Sequence, residues 1–134
     1  MSLTLAVRLA NARPLITPRG SSSISRVTTV LSDGVSQFIG NNSYRSHPFV
    51  KYFSESDSKI CLHSELDALN KAVRYFSRRS GVSYKKSISH LFLSGFTASV
   101  ARVLSNGEPA LAKPCSVCQK ALDHFKVSNI EWTT

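Results

Sequence analysis

Apolar positions recur at different periods along the chain, and the changes of period predict its secondary structure. The apolar residues at 3, 5, 6, 9 and 10 indicate a short amphipathic helix at the N-terminus. Residues 27–31 and 35–39 are rich in β-branched side chains and flank Ser32-Asp33-Gly34, which predicts a hairpin. Residues 43–59 are polar and predict a loop.

The second half of the chain predicts further helices and strands. Residues 64–79 place apolar side chains on one helical face, and Gly81 is expected to end that helix. Residues 89–96 and 99–104 are candidate strands, and a turn at Asn106-Gly107 follows them. A helix is expected to begin at Pro114, and residues 127–133 to form a last strand. Strands that alternate with helices favour an α/β fold, a sheet covered by helices.

The charge of the chain favours anionic partners. Its 134 residues carry 17 Lys and Arg against 8 Asp and Glu, a formal net charge of +9. Such an excess suits phosphates, nucleotides or nucleic acid, although a basic surface that only keeps the protein in solution is the alternative. No apolar run is long enough to cross a bilayer, so we expect no membrane partner and a cytoplasmic location.

Residues 1–25 are interpreted as an N-terminal helix and connector that precede a main domain over residues 26–134. The segment 17–25 (TPRGSSSIS) is rich in turn-forming residues, as a connector would be. The same N-terminal stretch is rich in Arg and Ser and lacks acids. Those features are also typical of an organellar transit peptide, which leaves a cleaved targeting segment as the alternative.

The cysteines suggest a metal site rather than disulfides. There are three, Cys61, Cys115 and Cys118, an odd number with one C-x-x-C pair. Cys115 and Cys118 can point from the first turn of one helix towards one ion. His63 would add an imidazole, giving three protein ligands for zinc and leaving the fourth position open, as in catalytic sites. Cys61 is the alternative fourth ligand.

Glu65, two residues after His63, supplies the second element of a catalytic site. A carboxylate beside a metal-activated water can accept a proton and deliver it elsewhere. The motif H-x-E followed by P-C-x-x-C is the signature of zinc-dependent nucleobase deaminases. His63-Ser64-Glu65 and Pro114-Cys115-Ser116-Val117-Cys118 match both halves of it in that order.

On these motifs the chain resembles the cytidine and deoxycytidylate deaminase superfamily. The likeness extends over roughly residues 26–132 and includes the Asp33-Gly34 turn, Gly40-Asn41-Asn42 and Tyr44-Arg45-Ser46-His47-Pro48. The resemblance implies a three-layer α-β-α fold with a mixed sheet of four to five strands and helices on both faces. It also implies a homo-oligomer.

The resemblance assigns roles to individual residues. His63, Cys115 and Cys118 would bind Zn²⁺, and Glu65 would shuttle protons. Asn42, with Asn41 beside it, would contact the sugar of the substrate, and the backbone at Ser64 would meet the base. His47 would lie near the substrate.

The implied reaction is the hydrolytic deamination of cytosine to uracil with release of ammonia. The substrate would be a small molecule, a nucleoside (cytidine or deoxycytidine) or a nucleotide (CMP or dCMP). Lys113 beside the second motif and the basic balance favour a phosphorylated one. Two alternatives stay open: a deaminase that edits cytosine or adenine in DNA or RNA, and a catalytically inactive, zinc-stabilised module that binds nucleotides or nucleic acid.

The chain departs from the family pattern in its spacing and at two small residues. The two motifs are separated by 48 residues, 66–113, which is longer than usual and predicts an insertion around residues 80–110. Ser64 stands where Ala is common, and Ala112 where Ser or Thr is often found.

Overall fold

A computed structural model describes residues 2–14, 25–43, 47–54 and 62–134. Over these residues the chain forms an α/β structure with a mixed, open five-stranded sheet and four α-helices. The elements are α1 Ser2–Ala12, β1 Arg26–Ser32, β2 Gln37–Asn41, a 3-10 helix Pro48–Tyr52, α2 Ser64–Ser80, α3 Tyr84–His90, β3 Thr97–Val103, β4 Pro109–Ala110, α4 Ser116–His124 and β5 Asn129–Trp132. None of the described helices has the length and apolar character needed to cross a membrane.

Strands β1 and β3 form the centre of the sheet. β1 pairs antiparallel with β2 on one side and with β3 on the other, so that Thr29 lies between Gly40 and Val100. β3 also pairs antiparallel with β4 and parallel with β5. The parallel pair makes the sheet a mixed one, as the resemblance implied.

Helices cover both faces of the sheet, which confirms that part of the expected fold. Successive residues of a strand point to opposite faces. Val30 of β1 therefore packs with Ala6 of α1, whereas Leu31 joins a larger core with Leu69 of α2 and Leu122 of α4. The predicted N-terminal helix is confirmed as α1, whose Ala6 and Ala10 have no exposed surface.

The predicted hairpin is confirmed, with its second strand beginning two residues later than expected. The Asp33 carboxylate accepts hydrogen bonds from the backbone N–H groups of Val35 and Ser36. Gly34 has φ +94°, a conformation that favours glycine. Val35 belongs to this turn and is 94% exposed, so its β-branched character did not mark the start of the strand.

The predicted helix over 64–79 is confirmed as α2, which ends where expected. Gly81 adopts a left-handed conformation with φ +72°, and its N–H donates to the carbonyl of Ser77. The last strand is also confirmed, shortened to β5.

The predicted strand over residues 89–96 is wrong. The Ser83 hydroxyl accepts a hydrogen bond from the backbone N–H of Lys86 and caps α3, which runs as far as His90. Leu93 and Phe96 are buried in the turn that follows, so these apolar side chains fill the core without forming a strand. The strand predicted over 99–104 exists and begins earlier, as β3.

The loop predicted over 43–59 contains structure that its polar composition hid. Phe49, Val50 and Phe53 belong to the 3-10 helix and its end, and all three are buried in the main core. Residues 55–61, which include Cys61, lie outside the described residues. So do residues 15–24, most of the predicted connector.

Gly40 is the residue that lets α2 lie directly against β2. A Cβ atom at this position would be 2.1 Å from the carbonyl oxygen of Ser64 and 2.4 Å from the backbone nitrogen of Ala68. Both are rigid backbone atoms, so a side chain at residue 40 would force the start of α2 away from the sheet.

We expect Gly40→Ala to destabilise the protein by about 3 kcal/mol or more, through overpacking that the backbone cannot relieve. Gly34→Ala is the matched control because its Cβ would meet nothing within 4 Å. It carries only the cost of a positive φ, about 1 kcal/mol. Urea unfolding of both variants measures the difference, and equal losses would show that the β2–α2 contact tolerates a side chain.

Candidate zinc site and adjoining pocket

The two sequence motifs lie at the N-termini of two neighbouring helices. His63 is the N-cap residue of α2, and Cys115 is the N-cap residue of α4. Cys118 follows in the first turn of α4 and is buried. Pro114 precedes the helix, so the predicted helix start is two residues early. Each helix thus presents its ligands at its partly positive end, which favours thiolates.

The three candidate ligands converge on one point. The Nδ1 atom of His63 lies 3.2 Å from Sγ of Cys118 and 3.4 Å from Sγ of Cys115. All three ligand atoms lie within 4.8 Å of one another. Zinc bonds of about 2.3 Å to sulfur and 2.0–2.1 Å to nitrogen, in tetrahedral geometry, place N and S about 3.5 Å apart. The residues present therefore fit a zinc ion.

Protonation of these groups is coupled in the way expected of a ligand set. Hydrogen bonds from Cys118 and His63 lower the pKa of the Cys115 thiol to about 3. The pKa of the Cys118 thiol is raised by its hydrogen bond with Cys115 and by its burial. The bond to Cys115 raises the pKa of His63. One sulfur is thus stabilised as a thiolate, and a bound cation would displace the remaining protons.

Glu65 is held beside the ligand set by a short polar chain from the sheet. The Ser64 hydroxyl donates to Oε1 of Glu65 at 3.0 Å and lies 2.8 Å from the hydroxyl of Thr29 on β1. Glu65 is only 5% exposed, and this burial raises the pKa of its carboxyl group. Ser64 is thereby positioned to orient the carboxylate.

A cavity of about 390 Å³ adjoins both the ligands and the carboxylate. It brings together most of the residues that the sequence singled out, from the two motifs and from the end of β2. Its walls are formed by Ser25, Val27, Asn42, His63, Ser64, Glu65, Arg102, Leu111, Ala112, Lys113 and Cys115. A ligand in this cavity can therefore meet the candidate metal and Glu65 together.

Two cationic side chains line the same cavity. Arg102 reaches it from β3, where it stands opposite Val27, and Lys113 precedes the second motif. Among the described residues, Glu65 is the only carboxylate that lines the cavity. Together with a metal cation, Arg102 and Lys113 make the cavity attractive to anions.

Asn42 lines the cavity and is held in place by Arg13, for which no role in a site was predicted. Its Oδ1 accepts hydrogen bonds from Nη1 of Arg13 at 2.8 Å and from the backbone N–H of Val27 at 2.9 Å. Its Nδ2 donates to the carbonyl of Ser25. Arg13 also donates to the carbonyls of Asn42 and Val27. Within the described structure, one amide N–H of Asn42 remains for a ligand.

Two predicted contact residues lie away from this cavity. Oδ1 of Asn41 accepts from the hydroxyl of Thr28, which points to the sheet face opposite Thr29. Nδ1 of His47 accepts from the backbone N–H of Phe49 and caps the 3-10 helix. His47 lines a separate cavity together with Arg74 and Tyr84.

Arg13, Thr29 and Arg102 complete the site, and the sequence carried no local signal for them. Arg13 follows α1 and is 29 residues from Asn42, whereas Thr29 and Arg102 lie in strands otherwise dominated by core side chains. Only strand register could have placed Thr29 and Arg102 on the face of the sheet that carries the two motifs.

Comparison with known proteins does not identify the chain. It matches no family model, no curated protein and no solved structure.

Zinc content tests the ligand set directly. We expect about one zinc ion per chain, with a large loss in His63→Ala, Cys115→Ser and Cys118→Ser, because each removes one of three inner ligands. Cys61→Ser is the matched control and should keep its zinc. Metal analysis of the purified variants measures this. Loss of zinc from the Cys61 variant would indicate a closed site with four protein ligands instead of an open one with three.

The Arg13–Asn42 contact should appear as a coupling energy in folding. Removing either partner leaves polar groups of the other without a partner, so we expect a coupling of about 1–3 kcal/mol. A double-mutant cycle of Arg13→Ala and Asn42→Ala by urea unfolding measures it. Arg8→Ala, an exposed arginine of α1, is the control and should couple to Asn42 by less than about 0.5 kcal/mol. A similar coupling for both arginines would contradict a specific contact.

Proposed function

We propose that this protein is a zinc-dependent hydrolytic deaminase that converts cytosine to uracil in a nucleoside or nucleotide. The observation that carries the proposal is the convergence of His63, Cys115 and Cys118 beside the buried Glu65, with His63, Cys115 and Glu65 lining one cavity. The H-x-E and P-C-x-x-C motifs that supply these residues are those of nucleobase deaminases.

The arrangement favours a catalytic rather than a structural zinc site. Structural sites use four protein ligands, whereas catalytic sites use three and keep one position for water or substrate. Three ligands converge among the described residues, and two of them, His63 and Cys115, line the cavity. When bound there, zinc would lower the pKa of water to about 7 and so supply a nucleophile at neutral pH.

Glu65 would carry the proton that hydrolysis must move. It would accept a proton from the attacking water and deliver it to the ring nitrogen. The water oxygen bonds to the ring carbon that carries the amine. Transfer of the remaining hydroxyl proton to the amine nitrogen then lets the C–N bond break and ammonia depart, so that water and cytosine become uracil and ammonia. Its raised pKa makes protonation easier than for an exposed carboxylate, which suits a group that must both take and give a proton. The hydrogen bond from Ser64 would keep the carboxylate oriented throughout.

The cavity also suggests how the rest of the substrate would bind. Since Oδ1 of Asn42 is occupied by Arg13 and Val27, Asn42 would offer a donor to a sugar hydroxyl oxygen. Arg102 and Lys113 would bind phosphate and so favour a nucleotide over a nucleoside.

The arrangement of the helices also supports the proposal. The resemblance implies a three-layer α-β-α architecture with helices on both faces of the sheet. Here α2 and α4 carry the two motifs and pack in one core, while α1 covers the other face. The long segment between the motifs forms most of α2 together with α3, β3 and β4, and the three candidate ligands still lie within 4.8 Å of one another.

Ammonia release from a substrate panel tests the proposal. The panel contains cytidine, deoxycytidine, CMP, dCMP and single-stranded oligonucleotides. Glu65→Gln should lower turnover about 10²–10⁴-fold, the contribution typical of general acid–base catalysis. It should keep its zinc, because Glu65 is not a ligand.

Glu108→Gln is the matched control, since this exposed glutamate lies outside the cavity and should leave turnover unchanged. A zinc-loaded wild-type protein that releases no ammonia from any member of the panel would instead favour an inactive zinc-stabilised module. Normal turnover in Glu65→Gln would refute the assigned proton carrier.

A further inference from the structure

The exposed side of α2 carries a concentration of positive charge that the proposed catalysis does not use. The chain has no Asp or Glu from residue 68 to residue 107. Within this stretch, Lys71, Arg74, Arg78 and Arg79 of α2 are all exposed, and we name them the α2 basic face. They border two adjacent cavities of about 370 and 450 Å³, which share Arg74 and Arg78.

Most of these charges lack an acidic partner in the described structure. Lys71 pairs with Asp67 at 3.3 Å, and that is the one salt bridge found among the described residues. Arg74 and Arg78 are four residues apart on a helix, an arrangement in which like charges repel. The face thus keeps a destabilising charge arrangement that an anionic partner would relieve.

The start of α3 repeats this unfavourable pattern. Lys85 and Lys86 occupy its first turn, which contains no acidic residue. Cations at that end oppose the helix dipole, whereas Asp or Glu would be stabilising. The residue before them, Tyr84, lines the same cavity as Arg74 and Arg78. Helix stability therefore does not explain these two lysines, while recognition of an anion does.

An aromatic ring lies within the α2 basic face. Tyr75 is 39% exposed and borders the larger cavity together with Lys71 and Arg74. The guanidinium of Arg79 lies 5.5 Å from the centre of its ring. Rings among arginines are the arrangement with which proteins stack exposed bases and bind the phosphates between them.

The face leads towards the candidate catalytic cavity. Nζ of Lys71 donates to the carbonyl of Ile39 on β2, three residues before Asn42, which lines that cavity. Along the helix axis, Lys71 lies about 9 Å and Arg78 about 20 Å beyond Glu65, at 1.5 Å per residue. The face therefore begins near the strand that ends beside the cavity and runs away from it along α2.

We propose that the α2 basic face binds single-stranded nucleic acid, with Lys71, Arg74, Arg78 and Arg79 contacting phosphates and Tyr75 stacking on a base. A single strand fits better than a duplex because its bases are free to stack on an exposed ring. The proposal concerns binding alone and does not rest on the proposed deamination.

Fluorescence anisotropy with a labelled single-stranded oligonucleotide of mixed sequence tests this face. The zinc-loaded Glu65→Gln protein is used, so that turnover cannot alter the probe. Affinity should fall with rising salt, and each lost phosphate contact should reduce the salt slope by about 0.7. The double variant Arg74→Gln/Arg78→Gln should bind at least about tenfold more weakly and lose about 1.4 from the slope.

The matched control removes two charges elsewhere, by Arg8→Gln on α1 and Lys120→Gln on α4, and should keep most of the affinity and slope. Thermal unfolding separates binding from folding, because relieving the Arg74–Arg78 repulsion should not lower the melting temperature. An equal loss of affinity in both double variants would overturn the proposal, since it would reflect total charge alone.

Tyr75→Leu tests the stacking contact separately. It should weaken single-strand binding on the order of tenfold while leaving the salt slope unchanged, because stacking releases no counterions. A duplex that binds as tightly as the single strand, with no effect of Tyr75→Leu, would overturn the single-strand assignment. Displacement of the oligonucleotide by polyglutamate at equal charge would assign the face to an acidic polypeptide instead.

Discussion

The close approach of α2 to β2 at Gly40 determines where the candidate site of this protein lies. With no side chain at residue 40, the carbonyl of Ser64 and the backbone of Ala68 rest directly on the strand. His63 and Glu65 flank Ser64, so the position of this one turn fixes both a candidate ligand and the carboxylate. Asn41 strengthens the same contact, since its backbone N–H donates to the Asp67 carboxylate in the first turn of α2. The site is therefore positioned from the sheet rather than from a loop.

Two polar connections then link the cavity to the rest of the fold. On the metal side, Thr29 orients Ser64, and Ser64 orients the carboxylate of Glu65. On the other side, Arg13 fixes Asn42 from the end of α1. Both connections pass through β1. Thr29 and Val27 belong to this strand, and they point to the same face because alternate residues of a strand share a face. The helix on the far face of the sheet thereby contributes to the orientation of a group in the cavity.

The sequence predicted the parts of the structure whose signals are local. The cluster of candidate ligands, the hairpin turn at Gly34 and the end of α2 at Gly81 follow from motif spacing or backbone preference at single positions. The strand predicted over 89–96 was wrong because burial in a turn and burial in a strand give the same apolar composition. Arg13 and Arg102 could not be found because their roles depend on strand register and on contacts between residues far apart in the chain.

Helix α2 has acidic residues at its first turn and basic residues at its last turn, and its length keeps the two groups apart. Its first turn carries Glu65 and Asp67, which favour the positive end of the helix, beside a candidate metal. Its last turn carries Arg78 and Arg79, which favour the negative end. The dipole accounts for both ends, and the pair with Asp67 accounts for Lys71. Neither accounts for Arg74 in the middle of α2 or for Lys85 and Lys86 at the start of α3. Contact with an anion is the physical role that accounts for the charge that helix stability leaves unexplained.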